Sequence, residues 1–173
     1  MSSVAVTIRD SSQLDNLSDQ VIESITDLRF ESEYCADLTT LNLNGFRKLK
    51  TLEIEIDALE NAGVFIADGL SELQSVKIGM NAFNPSFGDD DLTEEKMNNT
   101  NHSFQLLNCA KLESIEIGGW SFSDCAGGFL LDNLPKLSTI KIGDIGSSSL
   151  NFLCSSFVIK GLINVILIMN RFS

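Results

Sequence analysis

The fold is decided by residues 108–125, NCAKLESIEIGGWSFSDC, and by the stretch that follows at 126–144, AGGFLLDNLPKLSTIKIGD. The first stretch holds two cysteines, the sole tryptophan and three acids, a mixture that invites reading it as a reactive site. The second repeats its core, LESIEIG returning as LSTIKIG. A unit that recurs along a chain marks a stacked architecture before it marks an active centre.

With Leu112 as anchor, equivalents fall at Ile25, Leu49, Leu73, Leu137 and Val165, spaced 24, 24, 39, 25 and 28 residues apart in chain order. Apolar residues stand three and five positions after five of the six anchors: Leu28/Phe30, Leu52/Ile54, Val76/Ile78, Ile115/Ile117 and Ile140/Ile142. That alternation is a period-2 strand with one buried face. The last copy keeps Ile168 but has Asn170 at the second position, so it reads as degenerate.

Two more apolar columns accompany the strand. Leu17, Leu41, Phe65, Phe104, Phe129 and Phe157 lie eight residues before the anchors, and Cys35, Leu59, Phe83 and Phe122 lie ten after. A further column (Ile22, Phe46, Leu70, Cys109, Leu134, Leu162) follows turn formers at Gly45, Gly69, Asn108, Asn133 and Gly161, types that tolerate left-handed backbone. No coil built this way buries its inner face alone, so neighbours must stack. The pattern predicts a solenoid of about six coils of parallel strands with little helix, residues 17–173 forming the repeats. Residues 1–16 form a partial repeat or N-terminal cap, and a loop is inserted at about 84–103.

The unit with Leu112, Ile115, Ile117, Phe122 and Cys125 resembles the leucine-rich repeat family, in its divergent microbial (BspA-like) form. The resemblance covers about residues 17–169 and implies a curved protein-interaction or adhesion scaffold. It carries no catalytic residues, because the family motif has none.

Twelve basic against twenty-four acidic residues give a formal charge of -12. Nucleic acid and anionic membrane surfaces both demand a basic face, so neither is expected as a partner. The N-terminus MSSVAVTIRD lacks the pattern of a signal peptide, and GLINVILIMN is too short to span a bilayer. A cytoplasmic setting is therefore expected for the chain as given, and an extracellular or surface setting if it belongs to a longer exported protein.

If the third and fifth positions after the anchor face inward, the second and fourth face out. The second column reads Asp27, Thr51, Ser75, Ser114, Thr139; the fourth reads Arg29, Glu53, Lys77, Glu116, Lys141, its sign alternating at every step. Stacked parallel strands make such residues lateral neighbours, so the fourth column reads as a structural charge ladder. Ser114 and Thr139 remain candidates for partner contact.

Chemistry is sparse elsewhere. The insertion carries Asp89, Asp90 and Asp91 in DDDLTEE, without the spacing of an EF-hand, so it reads as a solvated or partner-specific loop. His102 is the only histidine and the four cysteines form no C-x-x-C pair, which argues against a metal site or a Cys–His nucleophile. The cysteines occupy or flank apolar columns and read as buried free thiols. Trp120 stands eight after its anchor, where other copies hold Glu33, Asp57, Asn81 and Ile145; a tryptophan in mostly polar company is a candidate interface anchor.

Taken together, these residues predict a non-enzymatic protein-binding or adhesion scaffold with no cofactor or metal. The alternative is the substrate-recognition arm of a larger enzyme complex, such as a ubiquitin-ligase adaptor. Both ends read as strands without caps, which predicts self-association through the solenoid ends.

Overall fold

The computed structural model describes residues 3–32, 35–84, 99–144, 149–152, 155–161 and 165–169. Asp89, Asp90, Asp91 and Cys154 fall outside them. The chain is a parallel β-solenoid of about six coils. Among the described residues, seven strands form the first sheet: β1 (Ala5–Ile8), β2 (Asp27–Phe30), β4 (Thr51–Ile54), β6 (Ser75–Ile78), β8 (Ser114–Ile117), β10 (Thr139–Ile142) and β12 (Ile166–Met169), side by side in that order. Five form the second: β3 (Thr40–Asn42), β5 (Val64–Asp68), β7 (Ser103–Leu107), β9 (Phe129–Asp132) and β11 (Phe157–Lys160). The only helices among the described residues are α1 (Ser11–Asp15), capped by the Asp10 carboxylate, and α2 (Asp19–Ile22), capped by the Ser18 hydroxyl.

The alternation after each anchor builds the first sheet as its period requires. Leu52, Val76, Ile115 and Ile140 stack in register with one another, and Ile54, Ile78, Ile117 and Ile142 do the same, all buried. The column eight before the anchor is itself a strand column. Leu41, Phe65, Phe104, Phe129 and Phe157 are successive register partners across the second sheet. The solenoid thus has strands on two faces.

Between the sheets run two files of phenylalanines. Phe65, Phe104 and Phe129 stack at 4.7 and 4.9 Å, and Phe83, Phe122 and Phe152 at 4.6 and 5.1 Å. The files meet edge to face, Phe104 against Phe122 at 5.5 Å. The second file sits on left-handed backbone: Phe83, Phe122 and Phe152 have φ of 53°, 57° and 51°, and Leu59 and Cys35 share the conformation. Such backbone costs an L-residue about 1–2 kcal/mol. Burying a phenylalanine stabilises by about 1.5–3 kcal/mol before stacking is added, so packing outweighs the strain.

The corner after the second sheet follows the expected turn formers. Gly69, Asn108, Asn133 and Gly161 have positive φ, whereas Gly45 does not. Asn108 donates its side-chain amide to Asp68 at 2.7 Å, and Asn133 donates to Asn108 at 2.8 Å, so the corner is also laced from coil to coil. After the first sheet, coils approach closely: a Cβ on Gly118 would lie 2.5 Å from the Met80 nitrogen, and one on Gly79 would lie 2.6 Å from the Ile56 nitrogen.

Both terminal copies depart from the 24-residue period. Val6 and Ile8 pair with Leu28 and Phe30, where an unbroken 24-residue spacing would place Val4 and Val6. At the other end Leu167 and Met169, not Ile168, pair with Ile140 and Ile142. The last strand therefore keeps two apolar residues in the inward register, and Ile166 and Ile168 face outward beside Thr139 and Lys141. The expectation that this copy is degenerate rested on the wrong parity; Asn170 lies outside the described residues.

Candidate functional site

The outer face of the first sheet carries the expected columns in register. Arg29, Glu53, Lys77, Glu116 and Lys141 are successive partners, and β6 pairs directly with β8 despite the intervening insertion. The ladder closes at its first rungs. Lys77 reaches Glu53 at 2.9 Å, and Arg29 lies 3.9 Å from Glu53. Arg29 bonds chiefly to Glu55, whose other oxygen accepts from the Ser32 amide at 2.9 Å. These bonds, that to Arg29 foremost, pull the Glu55 carboxyl down to about 2. Glu116 and Lys141 stand beside their neighbours with no ion pair to a described residue within 4.0 Å.

Along the C-terminal ends of these strands lies an open groove of about 530 Å³. Glu53, Lys77, Glu116 and Lys141 of the fourth column line one side; Glu55, Gly79, Gly118 and Gly143 follow them along the lip. Ile56 and Met80, seven after their anchors on adjacent coils, line it and are 48% and 37% exposed. Elsewhere on this face the large apolar side chains of the central coils point inward, so two adjacent exposed ones make a local apolar floor. Glycine at Gly79 and Gly118 is demanded by coil-to-coil contact, and the absence of side chains there keeps the floor open.

Ser114 and Thr139 are register partners on the outer face, both half-buried, so the structure brings these two candidates together. Trp120 is not among the groove's lining residues. It is half-buried at the corner after β8, with φ 65°, and shares its left-handed conformation with Asp57 and Asn81 of the preceding coils. Asp and Asn adopt this conformation readily and tryptophan does not. The strain does not single out Trp120, because Phe83 and Phe122 bear it nearby. The groove residues Ile56 and Met80 were missed in the sequence. Their signal was the seventh column, Ser32, Ile56, Met80, Gly119 and Asp144, in which two large apolar residues succeed one another where the face is otherwise small or polar.

The histidine and a cysteine do meet, but not as a nucleophile and its base. His102 packs its ring over Gly63 and holds Nδ1 3.0 Å from an Asp124 carboxylate oxygen. Cys125 donates its thiol to the His102 backbone oxygen at 3.2 Å, and burial pushes that thiol up to about 11. The same corner anchors the stems of the insertion: Ser123 bonds Asn84 on one side, and Ala126 donates its amide to the Asn99 carbonyl on the other. Among the described residues no cluster of His, Cys, Asp and Glu has metal-site geometry, and no helix is long and apolar enough to cross a membrane. No protein-family model, no curated protein and no solved structure matches the chain.

Proposed function

We propose that this chain is a non-enzymatic protein-binding scaffold, of the interaction or adhesion type that its resemblance to leucine-rich repeats implies, and that a partner binds along the groove of the first sheet. The observation that carries this reading is the pair Ile56 and Met80, exposed on adjacent coils inside a charged rim. Buried apolar anchors ringed by polar groups dominate the energetics of most protein interfaces. A stack of parallel coils holds such anchors at fixed spacing, so the surface is presented with little ordering entropy to be lost on binding.

The test compares the chain with the variant Ile56→Asp/Met80→Asp as bait in affinity capture, partners being identified by mass spectrometry and remeasured with purified protein. Both side chains face solvent, so the variant is expected to fold, which circular dichroism verifies. The reading requires a partner whose affinity falls about 100-fold or more in the variant, as the loss of two anchors implies. A partner indifferent to the groove but lost on Trp120→Ala would move the interface to the corner. Turnover of a substrate by the isolated chain would overturn the scaffold reading.

A further inference from the structure

The backbone amides of the seventh column, those of Ser32, Ile56, Met80 and Gly119, fall into two kinds. Ser32 donates to an oxygen of Glu55 at 2.9 Å, and Gly119 donates to Asp144 at 3.2 Å; each acceptor is a carboxylate carried by the next coil. The amides of Ile56 and Met80 have no acceptor among the described residues. The sixth column explains the difference. It reads Glu31, Glu55, Gly79, Gly118 and Gly143, so the kind of side chain that serves Ser32 is missing from the coils that follow Ile56 and Met80. A Cβ on Gly79 would lie 2.6 Å from the Ile56 nitrogen, and one on Gly118 would lie 2.5 Å from the Met80 nitrogen. That close approach excludes a side chain there, and both amides belong to residues that line the groove.

Of the two, the Met80 amide is suited to an anion. While Glu55 accepts from Ser32 through one oxygen, Arg29, the fourth-column residue of the same coil as Ser32, donates to the other at 2.7 Å. Lys77 holds the fourth-column place in the coil of Met80, whereas Glu53 holds it in the coil of Ile56 and repels a carboxylate. The Lys77 side chain is 61% exposed and engages one of its three donors with Glu53 at 2.9 Å. A neighbouring acid does not prevent the arrangement. Glu53 stands in register beside Arg29 as Glu116 does beside Lys77, and the Glu55 carboxyl is still drawn down to about 2, by Arg29 foremost.

Taking the groove as the binding surface proposed above, on which this rests, we infer that the partner presents an extended acidic segment. One Asp or Glu side chain bonds the Met80 amide and the Lys77 ammonium, and an apolar residue two positions before it rests on Ile56. Residues two apart in an extended chain share a face about 6.6 Å apart, close to the spacing of about 4.8 Å between coils. The formal charge of -12 opposes an acidic partner at long range. Exposed charges more than about 8 Å apart are screened at physiological salt, so the local contacts decide.

NMR titration of the 15N-labelled chain with three acetylated peptides tests this: Leu-Ala-Glu-amide, Leu-Ala-Gln-amide, and Leu-Ala-Gln with a free terminal carboxylate. The glutamyl peptide is expected to move the Met80 amide proton downfield saturably, leaving the Ser32 and Gly119 amides in place. It should bind about 10-fold more tightly than either glutaminyl peptide, the margin of a charge-assisted bond. Lys77→Met should erase that margin without weakening the glutaminyl peptides. No saturable shift at Met80 at millimolar peptide, equal binding of the amidated pair, a free chain end bound as tightly as the glutamyl side chain, or a margin indifferent to Lys77→Met would each overturn the inference. The scaffold reading fails separately, in capture with Ile56→Asp/Met80→Asp, which removes the apolar anchors and keeps both the Met80 backbone amide and Lys77.

Discussion

Phe83 and Phe122 stack with ring centroids 4.6 Å apart and 12° between their planes, and both do so from left-handed backbone. Strain is tolerated there only because each ring is held by neighbours above, below and across the core. Phe122→Ala removes the contacts with Phe83, Phe104 and Phe152 together and is expected to destabilise by about 3–5 kcal/mol in urea denaturation. Phe122→Leu should lose much less, since Leu59 occupies the equivalent left-handed corner two coils earlier. Equal losses for the two variants would contradict a packed file of rings.

The glycines separate two reasons for lacking a side chain. At Gly118 an added Cβ would strike the Met80 and Gly79 backbone at 2.5 and 2.6 Å, and neither can retreat without parting the coils. At Gly69 nothing lies within 4 Å, and only φ of 73° resists substitution. Gly118→Ala is therefore expected to destabilise by about 3 kcal/mol, at the high end of overpacking. Gly69→Ala should cost about 1 kcal/mol, the left-handed penalty alone. Chemical denaturation of the two variants ranks them; the reverse order would refute the close-approach argument.

The central coils were legible because their strands alternate strictly and their spacing is near-constant. The ends were not. Val4, Val6 and Ile8 alternate, so a shift of two residues leaves the pattern intact, and the short helices α1 and α2 set the actual register. In Val165–Met169 every residue is apolar, and period 2 carries no parity information at all. The second sheet was visible only as an apolar column, since single-residue columns do not distinguish a strand from a turn. Phe152 was missed altogether. It joins Phe122 thirty residues later, after a corner longer than the others, and so fell outside any fixed-offset column. The groove was missed because it is defined by exposure, which only the packed structure reveals.

The charge ladder is uneven, and that unevenness is measurable. Glu53 lies between Arg29 and Lys77 at 3.9 and 2.9 Å, so Glu53→Lys sets three cations side by side. Exposed pairs contribute about 0.2–1 kcal/mol each, so the expected loss is about 1 kcal/mol at low salt, shrinking as salt screens it. Glu116→Lys, at a rung without a close ion pair, should lose less. Thermal melts over a salt series distinguish them, and salt-independent losses would speak against an electrostatic origin.

Acid should loosen the early coils first. The Glu55 carboxyl, held by Arg29 and Ser32, is drawn down from its ordinary 4.5 to about 2, and Asp27 is lowered by Ser3, Thr26 and Thr51. A depressed carboxyl contributes stability that is complete above its unfolded pKa and is lost as pH falls through the folded value. The urea midpoint is therefore expected to hold above pH 4.5 and to fall between pH 4.5 and 2. Glu55→Gln should lower the plateau and flatten that slope. An unchanged slope would place the acid sensitivity elsewhere.

The thiols make the last test, because burial that fixes the fold also silences their chemistry. Cys109 and Cys125 are 0% exposed and Cys35 is 5% exposed, and desolvation pushes all three up to about 11. Only the thiolate attacks a disulfide reagent, and at neutral pH such a thiol is ionised to about one part in 10,000. In a Cys154→Ser background, labelling should therefore follow global unfolding: slow in native buffer, accelerated by urea, and equal for the three sites. A fast native phase amounting to one thiol would reveal a coil that opens locally. Its position, read by peptide mapping, would show which junction between coils is the weakest.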